Sequence, residues 1–343
     1  MNILVLAGGH SPERDVSLAS GAKVVQALRS RGHQVLLLDP YKSIDAQPNF
    51  TALYMAYAQE SYAHTIPSQA PDLAAFKAEF GNGDDMLGRN VLAACKLADV
   101  VFLALHGSFG ENGQLQATLD LHAVRYTGSG HVGCAIAMDK SIAKIIMQAA
   151  GVQTPLCAAY DEANLPLVVK PANGGSSIGC SIVRTAGEMA QAMAAARTQE
   201  DNIVIERFIE GREFSVGVLD GQVLPVIEII PNEGWFDYAN KYQGTTKEIC
   251  PADIPSDIVE RMQAAALAAH NALRLGSYSR VDFMLDKQGE IFCLEANTLP
   301  GMAPASLLPQ EAAAAGISYE DLCERIIALA TCGGAPSLRC ALR

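Results

Sequence analysis

Two carboxylates and an amide stand out near the carboxyl end: Asp282 in RVDFMLD (280–286), and Glu295 and Asn297 in EAN (295–297). The turn Asp286-Lys287-Gln288-Gly289 between them predicts a β-hairpin in which Leu285 faces Glu290, Phe283 faces Phe292 and Val281 faces Leu294. That register makes one face apolar. It sends Arg280, Asp282, Cys293 and Glu295 to the other face, with Asn297 two residues further on. Hard oxygen ligands of this kind suit Mg2+, which takes one or two carboxylates and shares its other positions with phosphate and water. The plain alternative is a solvated sheet face with an Arg–Glu pair. A second candidate is KPANGGSSIG (170–179), a strand ending in Lys170 followed by a Gly/Ser loop. Its open N–H groups and the hydroxyls of Ser176 and Ser177 suit phosphate oxygens. It is not GxxxxGK[ST]; the nearest imitation, Gly133 to Ser141, has Asp139 where the glycine before Lys140 belongs. Here the alternative is an ordinary hairpin with a glycine loop.

A third candidate is ERFIEGRE (206–213). Glu206 at a strand end and Glu213 after a turn suit an adenine amino group and ribose hydroxyls, or are two surface glutamates. Three more segments read as loops at sheet edges: GGHSPERDVSLASG (8–21), HGSFGENG (106–113) and FDYANKY (236–242). The first lacks the GxGxxG pattern, which argues against a dinucleotide site. Its Ser17 serves equally well as a helix cap.

Strands and helices alternate where these loops begin. An apolar run Ile3–Ala7, a helix at about Val16–Arg29, and strands Gln34–Leu38 and Val100–Leu105 predict a parallel sheet with covering helices. Ligands of such a sheet gather at its carboxyl edge. The excursion at 41–90 exceeds a usual connection; Leu73–Phe80 and Met86–Lys96 within it look helical, and its role is not legible. A helix Met138–Gly151, closed by Gly151 and released by Pro155, opens a small α+β block. That block has strands Leu167–Lys170, Cys180–Val183 and Ile203–Arg207 and a helix Ala186–Arg197. The remainder carries strands Phe214–Leu219 and Val223–Ile230, a helix within Ser256–Leu275, the hairpin Ser279–Asn297 and a closing helix near Tyr319–Ala330. Boundaries fall near 130 and 213.

The chain has 343 residues, enough for two or three domains at roughly 100–200 residues each. Half of it is apolar and 18% is charged, which suits a well-buried globular protein. A formal charge of −12 repels a phosphate backbone and argues against general nucleic-acid binding. No apolar run approaches the ~18 residues of a membrane span. MNILVLAGGH lacks a basic leader region and reads as a buried strand, so a cytoplasmic location is expected. The nine cysteines include no CxxC pair; Cys134, Cys180 and Cys293 read as reduced, buried thiols. Seven histidines without ligand spacing argue against zinc.

Eight segments in order (GGHSPERDVSL, ALHGSFGENG, YTGSG, MDK, VVKPANGGSSIG, ERFIEGREF, RVDFMLD and EANTLPGM) resemble the D-alanine–D-alanine ligases of the ATP-grasp superfamily, over residues 2–331. The resemblance implies an α/β and α+β protein of three domains: a doubly wound N-terminal sheet at 1–130, and two α+β units at 131–213 and 214–343 that grip ATP. It implies that Lys140 and Lys170 contact ATP phosphates, with the loop at 173–179, Ser176 and Ser177 included, closing over them. Glu206 and Glu213 would hold adenine and ribose beside Phe208 and Ile209. Asp282, Glu295 and Asn297 would bind two Mg2+ ions, with Mn2+ as a substitute. Glu13 would take the ammonium of the first D-alanine, with His106 nearby. Arg280 and the N–H of Gly301 would form the oxyanion site, and Ser306 and Leu307 would meet the second D-alanine. Tyr242, bonded with Glu13 and Ser176, would tie the loop shut, and Lys241 would reach the phosphoryl in transfer. A homodimer belongs to the same expectation.

The implied reaction makes D-alanyl-D-alanine for peptidoglycan precursors by way of an acyl phosphate. It requires preorganised positive charge and exclusion of water, and no covalent enzyme intermediate, so Ser176 and the cysteines are not nominated as nucleophiles. Tyr242 goes with D-alanine as second substrate where a histidine favours D-lactate; the wording of FDYANKYQGTTKEICPAD (236–253) leaves D-serine open. A ligase for other amino acids is opposed by Glu13, Tyr242 and Ser306 together. A catalytically silent nucleotide binder is opposed by the presence of Arg280 and all three metal ligands.

Overall fold

Three sheets carry the candidate residues, and each rests on a different hydrophobic pattern. The computed structural model describes residues 1–45, 49–57, 62–67, 71–81, 85–157, 161–175, 177–231 and 246–332. In the first sheet β1 (Asn2–Leu6), β2 (Gln34–Leu38) and β3 (Val100–Leu103) are parallel, in the order β2-β1-β3. β1 and β3 are almost wholly buried, the pattern of strands covered on both faces. α1 (Arg14–Ser30) lies close on this sheet because Gly21 has no side chain; a Cβ there would sit 2.5 Å from that of Ala7. The excursion contributes α2 (Phe50–Tyr57), α3 (Leu73–Phe80) and α4 (Val91–Cys95), and β3 leads to α5 (Ser108–Glu111) and α6 (Gln114–Leu121).

The expected helix Met138–Gly151 forms as α8 (Lys140–Ala149), and a further helix not expected from sequence, α7 (His131–Met138), precedes it. Asp139 separates the two: its carboxylate accepts the N–H groups of Ser141 and Ile142 and caps α8, which makes Lys140 the first helical residue. The second sheet is antiparallel: β4 (Leu167–Pro171), β5 (Ser181–Val183) and β6 (Ile203–Arg207), ordered β5-β4-β6 and backed by α9 (Met189–Arg197).

The third sheet contains β7 (Gly211–Leu219), β8 (Gln222–Val223), β9 (Ile227–Ile230), β10 (Lys247–Ile249), β11 (Tyr278–Asp286) and β12 (Ile291–Asn297). Its order is β10-β9-β7-β11-β12, with β8 on β7. The expected strand Val223–Ile230 is interrupted around Pro225, which has no N–H for a ladder. α10 (Ser256–Ala272), α7 and α8 join its core: Ala137, Met147 and Met262 lie with Phe214, Val216 and Phe283. Past β12 come α11 (Leu307–Ala314) and α12 (Tyr319–Cys332); Leu322, Cys323, Ile326 and Ile327 return to the core of the first sheet. Among the described residues no helix is long and apolar enough to cross a membrane.

The expected hairpin register is corrected. Asp286 N–H donates to Glu290 and Gly289 takes φ +81°, so the turn closes one residue tighter than expected. Leu285 pairs with Ile291, Met284 with Phe292 and Phe283 with Cys293; the register then shifts, and Asp282 faces Glu295, Val281 faces Ala296 and Arg280 faces Asn297. Leu294 is the extra residue of a β-bulge. With strict alternation Glu295 would share the core face of Ile291 and Cys293, and the bulge turns it to the side of Asp282. Cys293, expected beside Arg280, is fully buried, with its Sγ 3.5 Å from the sulfur of Met147.

Candidate active site

A cleft of about 470 Å3 separates the second and third sheets. Alternation along β4 turns Val168 and Lys170 into it and Leu167 and Val169 into the core. Phe208, Ile209 and Ser177 also line it; on the third-sheet side are Glu213, Met284, Leu294, Asp282 and Glu295. At its floor Glu206, 2% exposed, lies 2.6 Å from Lys170 Nζ and 2.7 Å from Lys144 Nζ. Burial pushes the Glu206 carboxyl up, and the two ammonium groups more than reverse this, so it stays ionised below the usual range. Burial pulls Lys170 down, and Glu206 outweighs it and holds the ammonium above its ordinary value. Lys140 Nζ donates to the Gly174 carbonyl at 2.7 Å and lies 3.3 Å from Glu295, which ties the glycine loop to the hairpin.

Asp282 is held by four hydrogen bonds. Arg280 grips it with two N–H···O bonds of 2.9 and 2.8 Å, Ser215 Oγ donates to Oδ1 at 2.8 Å, and Asn297 Nδ2 donates to Oδ2 at 2.9 Å. Burial lowers the Arg280 pKa, and Asp282 raises it past its ordinary value. The donor set fits Mg2+ by type: two carboxylates and an amide on one face of one hairpin, all hard oxygens. Four hydrogen bonds fill the roughly four lone-pair positions of Asp282, so holding an ion there exchanges at least one of them. Among the described residues no three His, Cys, Asp or Glu side chains cluster as a metal cage.

The amino-acid candidates lie on loops beside this cleft. Glu13 precedes α1; its Oε2 is near both Gly107 and Gly175, 2.9 and 3.3 Å from where their Cβ atoms would be. His106, 7% exposed, bonds through Nδ1 to the Leu299 carbonyl at 3.1 Å; burial lowers its pKa and keeps the imidazole neutral, against the pull of Glu13. Glu111 accepts the N–H of Gly107 at 2.7 Å and that of Leu299 at 3.3 Å, which joins the loop after β3 to the loop after β12. Burial, and then Glu13, push its carboxyl up to about 7. Gly301 lies against Ser306, whose Oγ would be 2.8 Å from a Cβ there; Ser306 is the residue before α11 and Leu307 its first.

Ser176, Lys241 and Tyr242 lie outside the described residues. Lys144, Glu111 and Ser215 were not nominated from sequence. Lys144 had a legible signal, one helical turn after Lys140, but on the apolar face of α8 with Ala143 and Met147. Ser215 had none, because its partner is 67 residues away.

Residues 2–129 match the family model of the D-Ala-D-Ala ligase N-terminus, and residues 143–328 match that of the C-terminus. A D-alanine–D-alanine ligase of Pediococcus pentosaceus is 44% identical over 95% of this chain and 97% of its own. The crystal structure of D-alanine–D-alanine ligase from Bacillus anthracis complexed with ATP superimposes with a TM-score of 0.70 at 30% identity, covering 96% of each chain. The VanG D-Ala:D-Ser ligase from Enterococcus faecalis superimposes at 0.72 and 26% identity, covering 96% of this chain and 98% of that one. Two sheets facing across a cleft, with Lys170 on one and Asp282 and Glu295 on the other, fit the ATP-grasp class of ATP-dependent ligases. Within that class the chain belongs to the D-alanine–D-alanine ligase family.

Proposed function

We propose that the protein joins two D-alanines into D-alanyl-D-alanine at the expense of ATP, for peptidoglycan precursor synthesis. The observation that carries this is Asp282 directly opposite Glu295 on a hairpin that faces Lys170 and Lys140 across one cleft. ATP enters between the sheets, with adenine beside Phe208 and Ile209, ribose at Glu213 and phosphates at Lys140, Lys170 and the loop of Ser176 and Ser177. Glu206 orients Lys170 toward those phosphates and faces the adenine end. Held by Asp282, Glu295, Asn297 and the phosphates, two Mg2+ ions would neutralise charge around the γ-phosphoryl group.

Glu13 binds the ammonium of the first D-alanine, with neutral His106 behind it. The carboxylate oxygen of that D-alanine takes the γ-phosphoryl group, ADP departs, and an acyl phosphate results; Lys241 steadies the phosphoryl in transit. Ser306 and Leu307 hold the second D-alanine, whose amine attacks the acyl carbon and loses a proton as phosphate leaves with one former carboxylate oxygen. Arg280 and the Gly301 N–H stabilise the tetrahedral oxyanion. Tyr242 closes the loop over Glu13 and Ser176, and water, which would hydrolyse the acyl phosphate, is kept out. The division at 1–130, 131–213 and 214–343, a homodimeric assembly and a cytoplasmic location belong to this reading.

A second reading, D-serine as second substrate, is favoured by the likeness to the VanG D-Ala:D-Ser ligase. Phosphate release from ATP and Mg2+ tests both. Release that needs D-alanine supports dipeptide ligation, and a large stimulation by D-serine added to limiting D-alanine supports the second reading. Release with L-alanine alone rejects both.

A further inference from the structure

Residues 41–90 have no part in the reaction as proposed, yet their helix α3 lies against the loop that bears Glu13. α3 has eight residues and none of them is fully buried. So short a helix is marginal alone and is held by its contacts. Its inner edge is Leu73, Phe76 and Phe80. The Leu73 carbonyl accepts from His10 Nε2 at 3.1 Å, and the Phe76 ring packs 5.4 Å from Tyr41, which stacks on His10 at 5.1 Å. Above all, the Arg14 guanidinium lies over the face of Phe76, 3.8 Å from its centroid.

Arg14 is the residue after Glu13, and it is the knot of the loop. Buried to 8% exposure, it pairs with Asp39 at 2.5 Å and donates to the Gly9 carbonyl at 3.0 Å. Asp39 in turn accepts the N–H groups of Gly9 and Tyr41, both at 3.0 Å. A second contact from the same excursion, His64 to Asp15 at 2.8 Å, holds the residue on the far side of Arg14. The excursion thus holds His10, Arg14 and Asp15, on both sides of Glu13, and among the described residues none of α3 lines the cleft between the second and third sheets.

We propose that α3 is a clamp on the amino-acid loop and that Phe76 is a positioning residue for Glu13: by fixing Arg14 it sets the direction in which the Glu13 carboxylate meets the substrate ammonium. This rests on the ligase reading above. The clamp acts on capture of the first amino acid, not on phosphoryl transfer, so its loss separates KM from kcat.

The test is steady-state kinetics of the full chain with Phe76→Ala, Phe76→Leu and Phe76→Tyr, together with backbone hydrogen exchange over residues 11–17. Phe76→Ala is expected to raise the KM for the first D-alanine about fivefold, the size of one cation–π contact, with kcat and the KM for ATP within about twofold. Exchange over 11–17 should quicken. Phe76→Tyr, which keeps the ring face, should restore both. Phe76→Leu keeps apolar bulk without that face and should give an intermediate KM even if Phe76→Ala does not fold. A first-site KM unchanged in the leucine and alanine variants, or a fall in kcat and rise in both KM values that tyrosine does not rescue, overturns the clamp. A wild-type chain that releases no phosphate with D-alanine fails the ligase reading itself, and the clamp falls with it.

Discussion

At the proposed nucleotide cleft the charged groups stand on strands of two sheets and on helix α8 and are locked to one another: Glu206 to Lys144 and Lys170, Asp282 to Arg280, Glu295 to Lys140. At the proposed amino-acid end Glu13, His106, Gly301 and Ser306 stand on loops, and these loops are held by hydrogen bonds to Glu111, Asp39 and Leu299 and by a stack of rings. The strand-borne half is fixed by sheet register, so an error of one residue would turn a ligand into the core. The loop-borne half is fixed by tertiary ties, each replaceable in part. Loss of a strand-borne charge should therefore remove function or stability outright, and loss of a loop tie should shift affinity or pH response.

The sharpest break of that contrast is Glu295→Gln. Turnover should fall about a thousandfold or more, since charge neutralisation at the phosphates is lost. The thermal midpoint should move little, because the amide keeps the shape; retained turnover would remove Glu295 from the metal site. Next comes Glu206→Gln, which leaves Lys144 and Lys170 buried without their anion. Removal of one member of a buried ion pair costs about 3–5 kcal/mol. Urea unfolding should read a loss of that order, and a loss below ~1 kcal/mol would show the cluster to be well hydrated.

On the loop side the effects are smaller. The native Glu111 carboxyl titrates near about 7, against 4.5 for an unperturbed glutamate, so between those values it keeps a proton that the unfolded chain has released. Stability should then fall as pH rises through that window. Glu111→Gln should flatten this part of the profile of thermal midpoint against pH. An unchanged profile would locate the decline elsewhere. His270, on α10 and bonded to Ser279 of the third sheet, gives the opposite sign: burial lowers it to about 4 from 6.5, so stability should fall as pH drops through that interval, and His270→Asn should soften the fall.

The same contrast marks how far sequence could be read. Local patterns carried most elements: Gln34–Leu38, Leu73–Phe80 and Ile203–Arg207 form where periodicity and β-branched runs put them. The misses came where a single residue acts locally, as Pro225 does in breaking a strand and Leu294 in bulging one. Asp282 and Glu295 were placed on one face from a register off by one; the bulge corrected Glu295 and left Cys293 in the core. Ties between residues far apart in sequence were invisible: Ser215 to Asp282, Glu111 to Leu299, Phe76 to Arg14. Those contacts depend on tertiary placement that periodicity does not encode.

The central claim is that a carboxylate is phosphorylated before it is joined. D-alanine carrying heavy oxygen in its carboxylate, turned over with ATP and Mg2+, should give inorganic phosphate with one labelled oxygen per dipeptide formed. Dipeptide formed alongside unlabelled phosphate would contradict the account.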